Sequence, residues 1–405
     1  MSGLYLHLPF CVKKCPYCDF NTWPLDQLGA GDHEAKFFAA LGREVDLLLE
    51  AHAAEEGAQP LETLYFGGGT PSLSEPARIA ALTQKVRAAG HAPKEITLEA
   101  NPESFSAQRF AGFVDAGINR ISVGVQSFND EVLRALGREH DVARARQVLA
   151  WLRGNERLIS WNFDLIYGVG DAHDVASFER ELDELLEWAP PHVSLYALEV
   201  HGATAFGARA RAGEQLTTGD DAQADLFDLA RARLLGAGYH HYEIANFAKP
   251  GHEAVHNSLY WRAASVIAAG PGATGFWRGA CAPWGLRWKT PRSMPAYLEW
   301  CAALGDPSGG IAALLEPLAG RAAEWEHLDQ AQALSERMIL GLRLLEEGLD
   351  LEALRKTFGE EAVAGKLAAL DRYLGAGWLR QSGTQLFLEG EYALVANSLF
   401  ADLMD

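Results

Sequence analysis

The chain has 405 residues, of which 48% are hydrophobic, so it can bury a large core, and one large domain with a smaller appendage is expected. Its formal charge of -19 opposes binding to nucleic acid, because neutralising phosphates requires clustered lysine and arginine. No apolar run approaches the ~20 residues that cross a bilayer, so any membrane contact is expected to be peripheral.

Six short segments rich in β-branched and aromatic residues recur in the first half of the chain, separated by amphipathic stretches with helical spacing. This alternation indicates parallel strands joined by right-handed crossovers. Ser74, Ser106 and Asp174 are expected to mark helix starts. We therefore predict an α/β fold, an incomplete (β/α) barrel of about six parallel strands that leaves one side open to a large ligand. The predicted strands cover residues 4–8, 61–66, 95–98, 120–125, 162–167 and 192–198.

The pattern changes after about residue 325, where helices are predicted at 331–345, 351–358 and 361–376 and a β ribbon near 378–387. This order resembles a small winged helix. Many winged helices bind DNA, but residues 325–405 carry fourteen acidic and seven basic side chains, which repel phosphate. We expect this C-terminal domain to act as a lid or as a docking surface for a partner. Residues 305–310 are predicted to form a loop or linker ahead of it.

Three cysteines near the amino terminus, Cys11, Cys15 and Cys18, have the spacing CxxxCxxC. Three thiolates in this spacing can hold one 4Fe-4S cube and leave its fourth iron without a protein ligand. The spacing is typical of radical S-adenosylmethionine (SAM) enzymes, in which the amino and carboxylate groups of SAM chelate that iron and one electron cleaves the sulfonium. A pocket for SAM is therefore expected nearby.

Two other interpretations of the cysteines remain open. The three motif cysteines and His7 could form a closed zinc site, although structural zinc usually involves two paired knuckles and no second CxxC is present. Disulfide pairing is disfavoured, because five cysteines are an odd number, Cys281 and Cys301 lie far from the motif, and no secretory leader precedes it. The reducing cytoplasm is the expected compartment.

Residues suited to ligand binding stand at the carboxyl ends of the predicted strands, where the active sites of βα barrels lie. The run 67–71, Gly-Gly-Gly-Thr-Pro, would let the backbone approach a ligand closely, although a tight turn has the same signature. Glu99 and Gln126 close the third and fourth strands, and a solvated strand end is the alternative for Glu99. Asp164 lies inside the apolar fifth strand, where its burial is costly unless a cationic or hydroxylated group binds it.

Four segments together resemble the HemN-like radical SAM superfamily, over most of the chain: 5–11 (Tyr-Leu-His-Leu-Pro-Phe-Cys), 68–71 (Gly-Gly-Thr-Pro), 124–128 (Gly-Val-Gln-Ser-Phe) and 164–168 (Asp-Leu-Ile-Tyr-Gly). The chain is most similar to the HemW branch, which comprises haem chaperones. Asp19 and Phe20 stand where coproporphyrinogen III oxidases continue their cluster motif as CxC. Residues 256–261, His-Asn-Ser-Leu-Tyr-Trp, match the HNxxYW motif associated with haem binding in that branch.

The resemblance implies a ligand for each motif. The three motif cysteines would hold the 4Fe-4S cluster, Arg138 would pair with the SAM carboxylate, and His256 would ligate haem iron or hold the haem pocket open. The residues implied for the cluster surroundings and SAM are Tyr5, Tyr17, Gly68, Gly69, Thr70, Glu99, Gln126, Arg138 and Asp164. Those implied for haem are His256, Asn257, Tyr260 and Trp261. The alternative for the last group is a packed segment whose aromatic rings fill the open side of the barrel.

Two segments depart from the family pattern. Residues 169–173 read Val-Gly-Asp-Ala-His where the family usually has Leu-Pro-Gly-Gln-Thr, so contacts to the adenine side of SAM are left open. Thr274 and Gly275 replace a common His-Ser pair, which leaves open how a second ligand is held.

The sequence predicts three domains: residues 1–235 as a radical SAM partial barrel with the cluster and SAM site, 236–310 as a HemN-like extension with the HNxxYW motif and linker, and 325–405 as the winged-helix-like domain. The expected function is that of a haem chaperone, with haem-requiring proteins, including those of the respiratory chain, as candidate acceptors. The alternative is a radical SAM enzyme that decarboxylates or methylates a porphyrin, although coproporphyrinogen III oxidase activity is not expected. A zinc-stabilised docking protein is a third class, and homodimerisation is left open.

Overall fold

The structure, a computed structural model, describes residues 1–28 and 31–404. Its strands are, in chain order, β1 (Ser2–Leu8), β2 (Phe10–Cys11), β3 (Trp23–Pro24), β4 (Thr63–Gly68), β5 (Glu95–Ala100), β6 (Arg120–Gln126), β7 (Ser160–Tyr167), β8 (His192–Ala197), β9 (His240–Glu243), β10 (Asn246–Ala248), β11 (Ser265–Ala269), β12 (Thr274–Gly279), β13 (Ala282–Lys289), β14 (Glu324–His327), β15 (Leu349–Asp350), β16 (Leu379–Ser382) and β17 (Gln385–Leu388).

The helices connect and cover these strands. They are α1 (His33–Ala54), α2 (Pro76–Ala88), α3 (Ala107–Asp115), α4 (Asp130–Ala135), α5 (Val142–Leu152), α6 (Val175–Trp188), α7 (Ala205–Arg211), α8 (Asp220–Gly236), α9 (Val255–Trp261), α10 (Met294–Ala303), α11 (Gly310–Leu315), α12 (Gln330–Gly341), α13 (Leu351–Phe358), α14 (Glu360–Gly375) and α15 (Ala396–Met404). None of the helices among the described residues combines the length and apolar character needed to cross a bilayer.

The central part of the main sheet confirms the predicted six-stranded parallel barrel segment. Strands β1, β4, β5, β6, β7 and β8 pair in that order, and each pair is parallel. Nearly every side chain in these strands is buried, as expected when helices cover one face and the barrel interior the other. Their carboxyl ends therefore lie at one edge, where ligands of such folds are bound.

Helix starts in this half follow the local signals. The side chain of Ser106 accepts a hydrogen bond from Arg109 N, and that of Asp174 accepts one from Ser177 N, so both cap free N–H groups of the first helical turn. The helix expected after Ser74 begins at Pro76, whose fixed φ suits the first position of a helix.

The sheet extends well beyond the six predicted strands, to twelve strands among the described residues. Strand β11 adds parallel to β1, and β12, β13 and β14 continue that side as an antiparallel ribbon. On the other side β10 adds antiparallel to β8, followed by β9. Helix α9 lies on the connection between β10 and β11, which runs from one side of the partial barrel to the other.

The C-terminal part contains the predicted helices and ribbon, arranged as α12, α13 and α14 beside a small sheet of order β15-β17-β16. The helix predicted over 331–345 is wrong at its end, because α12 stops at Gly341. Beyond it Leu344 forms a bridge with Glu243, and Leu345 N donates to Tyr242 O at 2.9 Å. These backbone contacts tie the C-terminal part to the end of the main sheet.

The segment predicted as a loop or linker, residues 305–310, is mostly a short turn. Residues 307–309 form a turn of 3-10 helix, and Gly310 begins α11. The carboxylate of Glu55, at the end of α1, accepts a hydrogen bond from Ile311 N at 2.8 Å. A Cβ on Gly310 would lie 2.6 Å from that carboxylate, so this segment packs tightly against the barrel.

Candidate cluster and cofactor site

The three motif cysteines share one loop that leaves the carboxyl end of β1. Its first part is held by β2 and β3, which pair Phe10 with Trp23 and Cys11 with Pro24. Its second part turns so that Cys18 N donates to Cys15 O at 3.1 Å. All three thiols are free, with Cys11 buried and the other two half-buried.

Two neighbours lie against the thiols. Cys11 Sγ is 3.4 Å from Thr70 Oγ1, and Cys15 Sγ is 3.5 Å from the Arg138 guanidinium. Burial raises the pKa of Cys11 to about 11, so this thiol stays protonated unless a metal or another positive charge stabilises the thiolate. Three thiols on one loop beside a cation are a donor set that fits a 4Fe-4S cluster.

The structure disfavours the zinc interpretation. His7 Nε2 donates to Asn21 O at 2.8 Å, and His7 Nδ1 accepts from Tyr5 OH at 3.1 Å, so neither ring nitrogen is available to a metal.

The glycine run after β4 brings its backbone against the cysteine loop. Gly69 N donates to Leu8 O, and Thr70 N donates to Phe10 O, both at 2.8 Å. A Cβ on Gly69 would lie 2.6 Å from the backbone of Pro9 and Phe10, so no larger residue fits there. The glycines therefore serve a close backbone approach, and they line the same cavity as Cys11.

Two carboxylates are buried at the ligand edge of the barrel. Glu99 accepts hydrogen bonds from Tyr65 OH at 2.8 Å and from Gly68 N at 3.0 Å. Asp164 accepts hydrogen bonds from Ser122 Oγ and from Asn162 Nδ2, both at 2.9 Å. The Ser122 hydroxyl is a partner of the kind that the sequence predicts for a buried Asp164. Burial raises the pKa of Glu99 to about 7 and that of Asp164 to about 6. Both carboxyl groups can therefore gain or lose a proton close to neutral pH.

Replacing Glu99 by glutamine is expected to stabilise the cofactor-free protein above about pH 7 by roughly 2 to 3 kcal/mol. The folded protein holds the Glu99 proton up to a pKa of about 7, whereas the unfolded chain releases it near 4.5. Wild-type stability therefore decreases as pH rises between these values, and a neutral glutamine removes that decrease. Denaturant unfolding between about pH 5 and about pH 8 measures the slope.

Glu156→Gln, at an exposed position, is the control and should leave the pH dependence of unfolding unchanged. If Glu99→Gln and the wild type give parallel stability curves across this range, the proposed retention of the proton by Glu99 is wrong.

The side chains of Gln126, the last residue of β6, and of Arg138 both lie beside Gly124. Gln126 ends the strand with a φ of 66°, a left-handed conformation that is uncommon for residues other than glycine and is concentrated at functional sites. Arg138 donates from Nη2 to Asn101 Oδ1 at 2.8 Å and to Gly124 O at 3.2 Å. Asn101 also donates to Thr70 Oγ1 at 3.0 Å, so it links the glycine loop to Arg138.

The two predicted tyrosines lie at different depths. Tyr17 OH is 3.5 Å from the Arg138 guanidinium, and its ring packs against Phe206, which places it beside the cysteines and the cavity. Tyr5 is deeper in the barrel, with its ring 5.8 Å from that of Tyr65 and 6.3 Å from that of His256. Tyr5 contacts the cysteine loop only indirectly, because its hydroxyl bonds to His7 and His7 bonds to Asn21 O of that loop.

The HNxxYW motif lies at the end of the barrel opposite to the cysteines. It forms α9, whose first N–H groups, on Val255 and His256, donate to the Glu95 carboxylate at 3.0 and 2.8 Å. Glu95 is the first residue of β5, and its carboxylate lies 4.0 Å from the Arg120 guanidinium at the start of β6. An acidic group at the start of α9 is favourable because it meets free N–H groups and the positive end of the helix.

In this structure His256 is a buried residue with both ring nitrogens engaged, so it is not available as an iron ligand. Its Nδ1 lies 2.7 Å from Thr63 Oγ1 and its Nε2 lies 3.3 Å from Tyr260 OH. Burial lowers the pKa of His256 to about 3, and its ring stacks on Tyr65 at 4.9 Å. The family resemblance also implies that Tyr260 and Trp261 contact haem. Neither is among the described residues that line the cavity next to the cysteines.

One cavity of about 580 Å³ connects the two ends of the barrel. It begins at Cys11 and Cys18, follows the inward-facing strand residues, and reaches Asn257 of α9. The predicted residues that line it are Tyr17, Gly68, Gly69, Thr70, Glu99, Gln126, Arg138, Asp164 and Asn257. Residues that sequence reasoning missed include Ser122, Ser194 and Arg343; the serines could have been found from strand alternation.

The residues in the two segments that depart from the family pattern make different contacts. His173 Nε2 bonds to the Glu181 carboxylate at 2.9 Å, and Glu181 also accepts from Phe128 N at 2.7 Å, so the 169–173 loop is anchored to α6. Thr274 is exposed on β12. A Cβ on Gly275 would lie 2.1 Å from Trp288, so glycine is required there for packing.

Comparisons with known proteins agree with this architecture. The Radical SAM superfamily matches residues 5–180, and the HemN C-terminal domain matches residues 328–391. The heme chaperone HemW of Mycobacterium tuberculosis is 36% identical over 407 residues, covering 99% of this chain and 94% of that protein. The heme chaperone HemW of Escherichia coli is 40% identical over 279 residues, covering 67% of this chain and 69% of that protein.

The coproporphyrinogen III oxidase HemN of Escherichia coli, a radical SAM enzyme, has a TM-score of 0.77 to this structure at 19% identity, covering 99% of this chain and 89% of that chain. At that identity the likeness shows the fold, and it confirms the predicted radical SAM fold. The superfamily implies a 4Fe-4S cluster and SAM as cofactors. Because a HemW protein aligns with nearly the whole chain at 36% identity, the chain belongs to the HemW family of the radical SAM superfamily.

Proposed function

We propose that this protein is a haem chaperone that binds a 4Fe-4S cluster through Cys11, Cys15 and Cys18, binds SAM beside the cluster, and accepts haem for delivery to haem-dependent proteins. The observation that carries the proposal is the continuous cavity of about 580 Å³ that joins the cysteine loop to the HNxxYW helix. Its volume lies in the range of sites that enclose a cofactor-sized ligand. Two of its relatives are named heme chaperones.

The end of the cavity near the cysteines has the groups that SAM requires. When bound, the cluster would supply the electron for cleavage of the SAM sulfonium. The Arg138 guanidinium beside Cys15 can hold the SAM carboxylate, and Glu99 and Asp164 can accept hydrogen bonds from its ammonium or ribose hydroxyls. The glycine backbone leaves space for the methionine moiety. These contacts are proposals for this chain.

The opposite end of the cavity is where we place haem. Asn257 of the HNxxYW helix lines it, and residues of the C-terminal domain form part of its wall. Haem-requiring proteins, with those of the respiratory chain as candidates, would receive the ligand in the cytoplasm.

A porphyrin-modifying radical SAM enzyme is the second candidate, because Glu99 and Asp164 have pKa values of about 7 and about 6 and could exchange protons with a substrate. Anaerobic reconstitution followed by separate titrations with haem and coproporphyrinogen III distinguishes the two. Haem binding without porphyrinogen turnover supports the chaperone. Turnover of the porphyrinogen, or no haem binding, contradicts it.

Asn257→Leu is expected to weaken haem binding and shift the Soret band while cluster content and SAM affinity stay unchanged. Asn257 lines the cavity, and leucine removes its polar groups at similar size. His256→Ala should instead lower the melting temperature, because it removes a buried ring and leaves Thr63 Oγ1 without its partner. Soret titrations and thermal unfolding of both variants measure these effects.

These two variants separate the roles of neighbouring motif residues. Selective loss of haem in a His256→Ala variant with wild-type thermal stability would show that His256 binds haem directly and would contradict the structural role given to it here. Unchanged haem affinity in Asn257→Leu would remove Asn257 from the haem site.

A further inference from the structure

Arg343 is a cation held at the end of the cavity far from the cysteines. It follows α12, and its guanidinium lies over the rings of Trp261, from the HNxxYW helix, and Phe400, from α15, at 5.0 Å from each ring centre. Stacking on two aromatic rings fixes the plane of a guanidinium and favours its charge. Arg343 therefore presents a positioned positive charge to the cavity that it lines.

This guanidinium lacks a carboxylate partner. Its Nε is buried without a hydrogen-bond partner, and among the described residues no carboxylate oxygen approaches it within ion-pair distance. Glu243 acts on it electrostatically, but the Glu243 carboxylate is bonded to the side chain of Asn246. Burial lowers the pKa of Arg343 from its ordinary value. A partly buried charge of this kind is costly unless an anion completes its hydrogen bonds.

The surroundings define the kind of anion. Leu394 and Phe400 from the C-terminal domain supply apolar surface, and Asn257 and Asn397 supply amide groups. Arg120 also lines the cavity, but its guanidinium lies 4.0 Å from the Glu95 carboxylate, whereas Arg343 has no carboxylate at that distance among the described residues. One such cation, in a protein with a net charge of -19, is poorly suited to a polyphosphate. It suits one carboxylate at the edge of a flat apolar body, which a guanidinium can bind through two parallel hydrogen bonds.

We propose that Arg343 forms a carboxylate-binding subsite and binds a propionate group of haem. This inference rests on the proposed haem chaperone function and adds to it the group that orients the ligand. The C-terminal domain then contributes directly to ligand recognition, since Arg343, Asn397 and Phe400 all belong to it. The subsite distinguishes carboxylate-bearing porphyrins from their esters.

The test compares haem with haem dimethyl ester, whose carboxylates are blocked, by Soret titration of the full-length reconstituted protein. We expect the wild type to bind haem more tightly than the ester, on the order of tenfold to a hundredfold for one charge-assisted pair. Arg343→Gln should lose this preference, and Arg343→Lys should keep part of it. Arg380→Gln is the control, because it removes an exposed guanidinium paired with Glu389 in the same domain.

Cluster content and SAM affinity are measured in every variant and should equal those of the wild type. If the wild type binds haem but shows no preference over the ester, or if a folded Arg343→Gln keeps the preference, the subsite is wrong while the chaperone function stands. If the wild type binds neither ligand, both proposals are wrong. Should Arg343→Gln fail to fold, the wild-type comparison with the ester and the Arg343→Lys variant decide the matter.

Discussion

Replacing Cys15 by serine is expected to remove the iron, the inorganic sulfide and the brown absorbance of the anaerobically reconstituted protein. Thiolates are the ligands that hold such a cube, and a serine hydroxyl at the same position is a poor ligand for iron in this setting. Cys15 is half-buried in the loop after β1, so the substitution should leave the packed barrel intact. Iron and sulfide analysis, absorbance spectra and thermal unfolding measure these outcomes.

Cys281→Ser is the matched control, because Cys281 is exposed between β12 and β13, far along the chain from the motif. It should keep the full cluster content of the wild type. Stoichiometric zinc in place of iron after strictly anaerobic purification would contradict the cluster assignment. Full iron content in Cys15→Ser would remove that residue from the ligand set.

The features that the sequence predicts well depend on short-range patterns. A CxxxCxxC spacing determines that three thiols share one loop, and the side-chain oxygens of Ser106 and Asp174 cap the helices that follow them. The parallel strands are recognisable because they are buried on both faces and read as continuous apolar runs. Residues at their carboxyl ends are then brought together by topology alone.

The features that it does not predict depend on pairing between distant segments. Glu95 reads as the first residue of a strand, yet its carboxylate caps α9 from 160 positions away along the chain. That contact fixes the HNxxYW helix at the amino end of the barrel, a location that no local pattern encodes. Similarly, Arg343 reaches the cavity only because α12 ends at Gly341 and the following residues join the main sheet.

The structure indicates that substitution of Arg138 should affect protein stability as well as SAM binding. The sequence alone indicates one lost contact to SAM. In the structure the Arg138 side chain is 5% exposed, donates to Asn101 and Gly124 O, and lies 3.8 Å from the Glu103 carboxylate. A buried arginine of this kind supports the site before any ligand binds, so its removal leaves acceptors without a donor.

Arg138→Ala is therefore expected to weaken SAM binding by roughly 1.5 to 3 kcal/mol, about tenfold to a hundredfold, and to lower the free energy of unfolding by about 3 kcal/mol or more. Loss of the bidentate donor causes the first effect. The second effect arises because Asn101 Oδ1 and Gly124 O lose their donor. In addition, Glu103, which stays bonded to His140, loses a nearby cation. Calorimetric titration of SAM into the reconstituted protein measures the affinity, and denaturant unfolding measures the stability.

The control must destabilise the barrel without touching the proposed SAM site, and Arg109→Ala meets that condition. Arg109 donates to the carbonyl groups of Leu73 and Ser74 at 2.8 and 2.9 Å and does not line the cavity. It should reduce stability while SAM affinity stays at the wild-type value. If Arg138→Ala and Arg109→Ala lower stability alike and both leave SAM affinity unchanged, Arg138 has only a structural role and the SAM carboxylate is held elsewhere in the cavity.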